Sequence, residues 1–159
     1  MESEYQNGST AAMTYHQISE KDFDTWLSMA LKLWKTAEVN ALRDELRELF
    51  NSPNQQTFIA RNELKEPIGF ANLSIRHDGV VGSRNAPTGY LEGIYVAEQF
   101  RKKGVAKQLL KLAESWLKEN HCLQIGSDTW LTNTASQSFH KKLGFVEKKR
   151  LVHFLKDIE

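Results

Sequence analysis

The sequence predicts one α/β domain in which helices cover a mixed sheet. Three observations carry this. The apolar period switches along the chain, from three- and four-residue spacing between Phe23 and Leu49, to alternation between Thr57 and Val96, and back to helical spacing after Gly104. The implied order is β-α-α-β-β-β-α-β-α-β, which interleaves strands and helices as layered domains do. The length, 159 residues, suits a single core.

Composition narrows the partners. The charge is nearly balanced, 21 Lys and Arg against 20 Asp and Glu, which argues against a nucleic-acid binder. Cys122 is the single cysteine, so an internal disulfide and a Cys-rich zinc site are ruled out, and a reducing cytoplasm is expected. No apolar run approaches the roughly 20 residues of a membrane span. Residues 1–12 are polar and lack the apolar core of a signal peptide. They read as a flexible extension, with Met13 an alternative start and residues 13–159 the domain.

Each element has its own signal. Residues 15–18 read as an edge strand. Ser19 then precedes Glu20, Lys21 and Asp22, and Phe23, Trp26, Leu27, Ala30, Leu31 and Trp34 follow at helical spacing, an amphipathic helix with a serine N-cap. Val39, Leu42, Leu46 and Leu49 give a second helix, stopped by Asn51-Ser52-Pro53-Asn54. Residues 57–61 and 68–75 alternate around a turn at 62–66 and predict a hairpin. Residues 78–88 hold Gly79, Gly82, Asn85 and Pro87 without an apolar period and read as a loop. Residues 90–96 form an apolar strand interrupted by Glu92. Residues 104–120 form a helix whose face is Val105, Leu109, Leu112, Ala113 and Trp116. Residues 123–127 are a short strand, and residues 133–143 a helix ended by Gly144. Val146, Leu151, Val152, Phe154 and Leu155 predict a closing strand or strand pair over 146–155.

Two stretches carry chemistry. After the strand at 90–96, the basic turn Arg101-Lys102-Lys103 leads through Gly104 into a helix. Helix N-termini present unpaired N–H groups and a partial positive charge, and so bind phosphate. Gly104 removes a side chain where backbone must approach an anion. Residues 101–111 hold five basic residues and no acidic one. On spacing alone the turn is either an anion site or a solvated helix start. It lacks the Lys-Ser/Thr of nucleotide-hydrolase loops and the three-glycine dinucleotide fingerprint. No aromatic or basic stripe extends it towards nucleic acid. The second stretch is Ser127-Asp128-Thr129 with Asn133 and His140. Asn133 stands where an N-cap is expected, and His140 lies two turns on, on the same face. A helix N-cap and a structural histidine are the plain alternatives to a binding or catalytic role.

Arg101-Lys102-Lys103-Gly104-Val105-Ala106 fits the pattern Gln/Arg-x-x-Gly-x-Gly/Ala, and Asn133 through Gly144-Phe145 fits the other half of the same site. These runs resemble the GNAT superfamily of acetyl-CoA-dependent N-acetyltransferases, over essentially everything from Tyr15 onward. Several runs are similar, more closely, to the aminoglycoside 6'-N-acetyltransferases. They are Leu33-Trp34, the stretch from Ile68 through Arg76-His77-Asp78, Leu91-Glu92-Gly93-Ile94-Tyr95-Val96, Ser127-Asp128-Thr129, Asn133-Thr134 and Ser136-Gln137.

The resemblance implies a GNAT fold, with a mixed central sheet of about six to seven strands, splayed at the acetyl-CoA site and flanked by about four helices. It implies acetyl-CoA as co-substrate between the strands at 90–96 and 123–127, and no metal. Backbone groups of Ile94, Tyr95 and Val96 would pair with pantetheine and the acetyl carbonyl. Arg101, Lys102, Lys103, Gly104, Val105 and Ala106 would hold pyrophosphate, and Asn133 the pantetheine side. The acceptor would be an aminoglycoside, with neither nucleic acid nor membrane as partner. An alkylammonium has a pKa of about 10, so a carboxylate must hold the cation and then take its proton. Glu92 is the implied base, against the plain reading of a half-exposed strand position. Asp128 would bind a further ammonium, and Trp34 would either stack a sugar face or simply pack the first helix. His140 stands where many members carry a tyrosine acid. A homodimer is implied, with residues 146–155 near its interface.

Three positions depart from the closer pattern. Gly79 stands for an aromatic, Ala37 for a histidine and Lys149 for an acidic residue, each removing a contact to a polycation. Glu38 is a candidate replacement beside Ala37. Two other readings share the same residues: acetylation of another amine, such as a polyamine or protein amino group, and a non-catalytic acyl-CoA-binding module.

Overall fold

A computed structural model describes residues 13–159, and residues 1–12, expected as an extension, lie outside the described residues. The chain begins with β1 (Thr14–Gln17). Ser19 heads a 3-10 turn (Glu20–Asp22), and α1 (Phe23–Leu33) continues from it. α2 (Val39–Asn51) follows. Next come β2 (Gln55–Arg61), β3 (Pro67–Arg76) and β4 (Thr88–Val96). α3 (Val105–Glu119), β5 (Ile125–Gly126) and α4 (Thr134–Lys142) complete the described elements.

The strands form one sheet in the order β1-β2-β3-β4-β5. The first four are successively antiparallel, and β5 runs parallel to β4. Alternation sorts the apolar side chains between the faces. Phe58, Ala71, Leu73, Ile75 and Leu91 pack with Val105, Leu109, Ala113 and Leu117 of α3. Ile59 and Phe70 pack on the opposite side with Trp26, Leu27, Ala30, Leu42 and Leu46 of α1 and α2. Gly89 has no side chain because Leu117 of α3 already occupies its space.

The sheet has five strands among the described residues, against an expectation of six to seven. The closing strand expected over 146–155 does not form. Leu151-Val152 and Phe154-Leu155 are adjacent apolar pairs, so a strand there is apolar on both faces and needs cover on both. Their side chains are instead exposed. Leu123 is likewise outside β5, and its side chain is exposed. Among the described residues no helix is long and apolar enough to cross a membrane.

A buried ion cluster pins the sheet's first edge to the helical layer. The Asp22 carboxylate accepts bonds from Arg61 Nη2 at 2.8 Å, Ser19 N at 2.9 Å and Ser19 Oγ at 3.0 Å, and His16 Nε2 lies at 3.3 Å. Burial alone raises the Asp22 carboxyl, but the bonds from Arg61, Ser19 and His16 outweigh it and hold it well below the usual carboxylate range. The folded pKa therefore lies below the unfolded one. The contribution to stability is complete above about pH 4 and is lost as acid is added below that. Removing one partner of a buried pair strands the other, so Asp22→Asn is expected to cost about 3 kcal/mol at neutral pH. Urea unfolding of both proteins checks this, with the difference shrinking on acidification.

Candidate active site

β4 stays paired with β3 throughout, yet Leu73 faces Leu91 while Asn72 faces Gly93. Glu92 is thus the extra residue of a β-bulge, which is how an apolar strand carries a carboxylate. Its Oε1 accepts from Ser74 Oγ at 2.5 Å and from Arg76 Nη2 at 3.0 Å. Among the described residues no donor reaches Oε2. The Arg76 guanidinium also lies over the Tyr90 ring, 3.5 Å from its centroid. Tyr90 Oη in turn donates to Asp128 Oδ2 at 2.5 Å. The two acidic residues singled out in the sequence are therefore joined by Arg76 and Tyr90.

This polar strip has a simple origin. On β3, Asn72, Ser74 and Arg76 alternate with the apolar Ala71, Leu73 and Ile75, so they share the sheet face of Phe70. Asn72 is 1% exposed; its Nδ2 reaches Thr57 Oγ1 at 3.0 Å, and its Oδ1 has no partner. Ser74, Arg76 and Tyr90 had a signal in the sequence, polar residues at period two on one face, but carried no assignment there.

Trp34 caps α1 and rests its indole on β4: a Cβ at Gly93 would come 2.7 Å from Trp34 Cζ2. Trp34 thus packs α1 onto the sheet, against Gly93 and 6.1 Å from the Phe70 ring between centroids. Glu38 stands at the head of α2. Its carboxylate accepts from Asn40 N at 3.0 Å and Ala41 N at 2.8 Å as the N-cap of α2, and those bonds lower its pKa. Ala37 is partly buried against the α1 and α2 core. Gly79 adopts φ +88° and Lys149 is exposed.

The second feature is a parting of strands. β4 and β5 pair only at Gly89 with Ile125 and Tyr90 with Gly126. Beyond that the two diverge, and residues 91–96 present an open edge. Ile94 and Val96 turn to the α3 core, and Tyr95 stacks on Phe70 at 6.3 Å between ring centroids. Their side chains are thus committed to packing, and only their backbone groups face the opening.

At the wide end, Gly104 is the N-cap of α3 with φ +82°, and nothing lies within 4 Å of where its Cβ would be. Lys102 is also left-handed, at φ +60°. The backbone N–H groups from Lys102 through Lys107 find no acceptor among the described residues. Arg101 Nε donates to Val96 O at 2.9 Å, which fixes the turn to the end of β4. A glycine-opened turn with unclaimed donors and Lys102, Lys103 and Lys107 around it fits a diphosphate. An open strand edge leading away from it fits the amides of a pantetheine arm. The residues present therefore fit acetyl-CoA. Asn133 is the N-cap of α4, its Oδ1 accepting from Ser136 N at 3.0 Å, which leaves its Nδ2 available. Among the described residues no three His, Cys, Asp or Glu side chains group as a metal site.

His140 is held on both nitrogens. Nδ1 lies 2.7 Å from the Ser136 carbonyl oxygen and Nε2 lies 2.8 Å from Ser127 Oγ.

The architecture and this site are those of an acyltransferase. The sequence model of the Acetyltransferase (GNAT) family matches residues 18–145, and the chain belongs to that family. Among its relatives, an aminoglycoside N(6')-acetyltransferase type 1 of Serratia marcescens is 36% identical over 137 residues, 86% of this chain and 94% of the relative. One of Salmonella typhimurium is 36% identical over 144 residues, 91% and 99% of the two chains. The crystal structure of the aminoglycoside antibiotic 6'-N-acetyltransferase AAC(6')-Ih from Acinetobacter baumannii superposes with a TM-score of 0.88 at 33% identity, covering 92% of this chain and 99% of that one. AAC(6')-Iy in complex with the bisubstrate analog CoA-S-monomethyl-acetylneamine gives 0.86 at 35% identity, with the same coverage.

Burial first, then the bond to Asp128 and the charges of Asp128 and Glu92, push the Tyr90 phenol far above its ordinary value, against Arg76. Alkaline absorbance titration is expected to show Tyr90 as the last tyrosine to ionise. Tyr90→Phe should remove that final step, and Asp128→Asn should move it to lower pH.

Proposed function

We propose that the chain is an acetyl-CoA-dependent aminoglycoside 6'-N-acetyltransferase with Glu92 as its base. One observation carries the reading: Glu92 bulges from β4 where the strands part, with Oε1 clamped by Ser74 and Arg76 and Oε2 open. Kinship with aminoglycoside 6'-N-acetyltransferases supports the acceptor class.

The acceptor amine arrives protonated. Glu92 Oε2 pairs with the ammonium, and Asp128, oriented by Tyr90, pairs with a second ammonium of the same sugar. Glu92 then removes a proton, directly or through water, and frees the nitrogen lone pair. Trp34 offers its indole to an apolar sugar face beside Glu92. Backbone N–H groups of residues 102–106 take the pyrophosphate, aided by Arg101, Lys102 and Lys103. The edge at Ile94, Tyr95 and Val96 takes the pantetheine amides, and Asn133 donates through Nδ2. Acetyl-CoA supplies a thioester already activated for attack. A strand N–H of Ile94 or Val96 stabilises the oxyanion that forms on attack. The protein's share is position and polarity. Residues 13–159 form a single acetyltransferase domain, and a cytoplasmic setting suits both the free thiol of Cys122 and the need for acetyl-CoA.

Glu92→Gln is expected to lower kcat/KM for kanamycin or tobramycin by about 10²–10⁴, read by thiol release. An unchanged rate removes Glu92 from the mechanism. Absence of drug-dependent release by the unmodified protein rejects the acceptor class, and a much faster non-drug amine identifies a different acceptor.

The protein also acts as a homodimer. Val146, Leu151, Val152, Phe154, Leu155 and Ile158 are 54–98% exposed, a run of apolar surface that a second copy would cover. Sedimentation is expected to give twice the chain mass, and truncation after Glu147 to give a monomer. A full-length monomer overturns this.

A further inference from the structure

We infer that Ser127 is the residue that protonates the departing thiolate, with His140 as the positioning residue that supplies its proton. The inference rests on the acetyl-transfer reading above and concerns the opposite end of the reaction from Glu92.

Two bonds fix the imidazole. The Ser136 carbonyl oxygen, 2.7 Å from Nδ1, can only accept, so Nδ1 carries a hydrogen. In the neutral ring Nε2 is then an acceptor, and Ser127 Oγ donates to it across 2.8 Å. Phe139 and Phe145 meet the ring at 6.0 and 5.3 Å between centroids and hold its plane. When His140 is protonated, Nε2 becomes the donor to Ser127 Oγ. The serine hydrogen then turns from the ring to the Leu91 carbonyl oxygen, 3.3 Å away, and is free to pass to a thiolate that forms beside it. His140 therefore orients the hydroxyl and refills it.

Position supplies the other half. Ser127 is the first residue after the last β4–β5 pair, and its Oγ lies 3.3 Å from Leu91 O, across the point where the strands separate. The pyrophosphate turn lies at the far end of the open edge, about 17 Å along β4 from Leu91 at the usual rise per residue. The sulfur is at the opposite end of the pantetheine arm from the pyrophosphate, so it belongs at the narrow end, with Ser127 and Glu92.

The balance closes. The amine forms the C–N bond, losing one proton to Glu92 and thence to solvent, and the C–S bond breaks with its electron pair on sulfur. Ser127 gives its hydrogen to that sulfur as Nε2–H passes one to Ser127 Oγ. Neutral His140 and free coenzyme A thiol remain, and solvent reprotonates the imidazole.

Ser127→Ala is expected to lower kcat about tenfold while both KM values stay within twofold. This is less than the usual share of general-acid catalysis, because a thiolate leaves tolerably alone. Ser127→Thr should recover most of the rate. His140→Gln should cost about the same, and adding it to Ser127→Ala should cost nothing further. A second readout needs no acceptor and no turnover: the thiolate absorbance of bound coenzyme A. Loss of a hydroxyl donor should shift its ionisation to higher pH in Ser127→Ala and leave it in place in Ser127→Thr. If the alanine variant does not fold, Ser127→Cys carries both comparisons. Multiplying losses in the double variant, an unshifted thiol titration, or an acetyl group found on Ser127 by mass spectrometry overturns the inference. Failure of the acceptor reading would instead appear as no drug-dependent turnover with the thiol shift intact.

Discussion

The site depends on the early parting of β4 from β5. β5 is only two residues long, so its parallel pairing with β4 stops after Tyr90 and Gly126. The bulge at Glu92 follows directly on β4 and adds local twist. On the other strand, Gly126 lies under Val80 and the Tyr90 ring, where a Cβ would come 2.7 Å from Val80 Cγ1. β5 is therefore pinned at its start and free beyond it. An interior strand whose backbone groups are left open is costly unless something pairs with them. The same constraint sets the bulge, the open edge and the anion-binding turn in one line.

The bulge also decides what stands beside Glu92. Without it, alternation would send the residue after Leu91 and the one after that to opposite faces. With it, Glu92 reaches Ser74 and Arg76 while Gly93 still lies under Trp34. Arg76 is shared between the Glu92 carboxylate and the Tyr90 ring, and Tyr90 is spent on Asp128. Each acidic group thus has one oxygen fixed by the protein. Preorganisation of this kind costs little at the moment of reaction, because no side chain has to be ordered then.

Much of this was legible in the sequence, for physical reasons that differ by residue. Caps were readable because they are local: Ser19 heads the turn into α1, and Gly144 ends α4 at φ +91°. Gly104 was readable because a left-handed N-cap beside basic residues has few other uses. Glu92 stood out as a charge in an apolar strand, but the bulge that aims it is a property of register with β3 and leaves no mark in β4 alone. Ser127 and His140 are 13 residues apart, and nothing in either segment announces their bond. Glu38 also caps α2 through its carboxylate, a role set by the helix geometry and not announced by the pair Ala37-Glu38. The C-terminal apolar run predicts a strand by composition, but its adjacent doublets do not alternate, and its side chains are exposed.

The near-zero net charge now has a local meaning. The chain carries +1 overall, yet residues 101–111 hold five basic groups and the acceptor side holds Glu92 and Asp128. Arg76 stands among those acids and cancels one of them. The acceptor cleft is thus far less negative than its acidic residues suggest. Beyond a screening length of about 8 Å at physiological salt, a polycation meets almost no net field from it. On the proposed reading, recognition then has to come from contact, from one free carboxylate oxygen on Glu92, one on Asp128, and the Trp34 indole. A site built this way discriminates by the spacing of ammonium groups more than by their number, because long-range attraction contributes little to any of them.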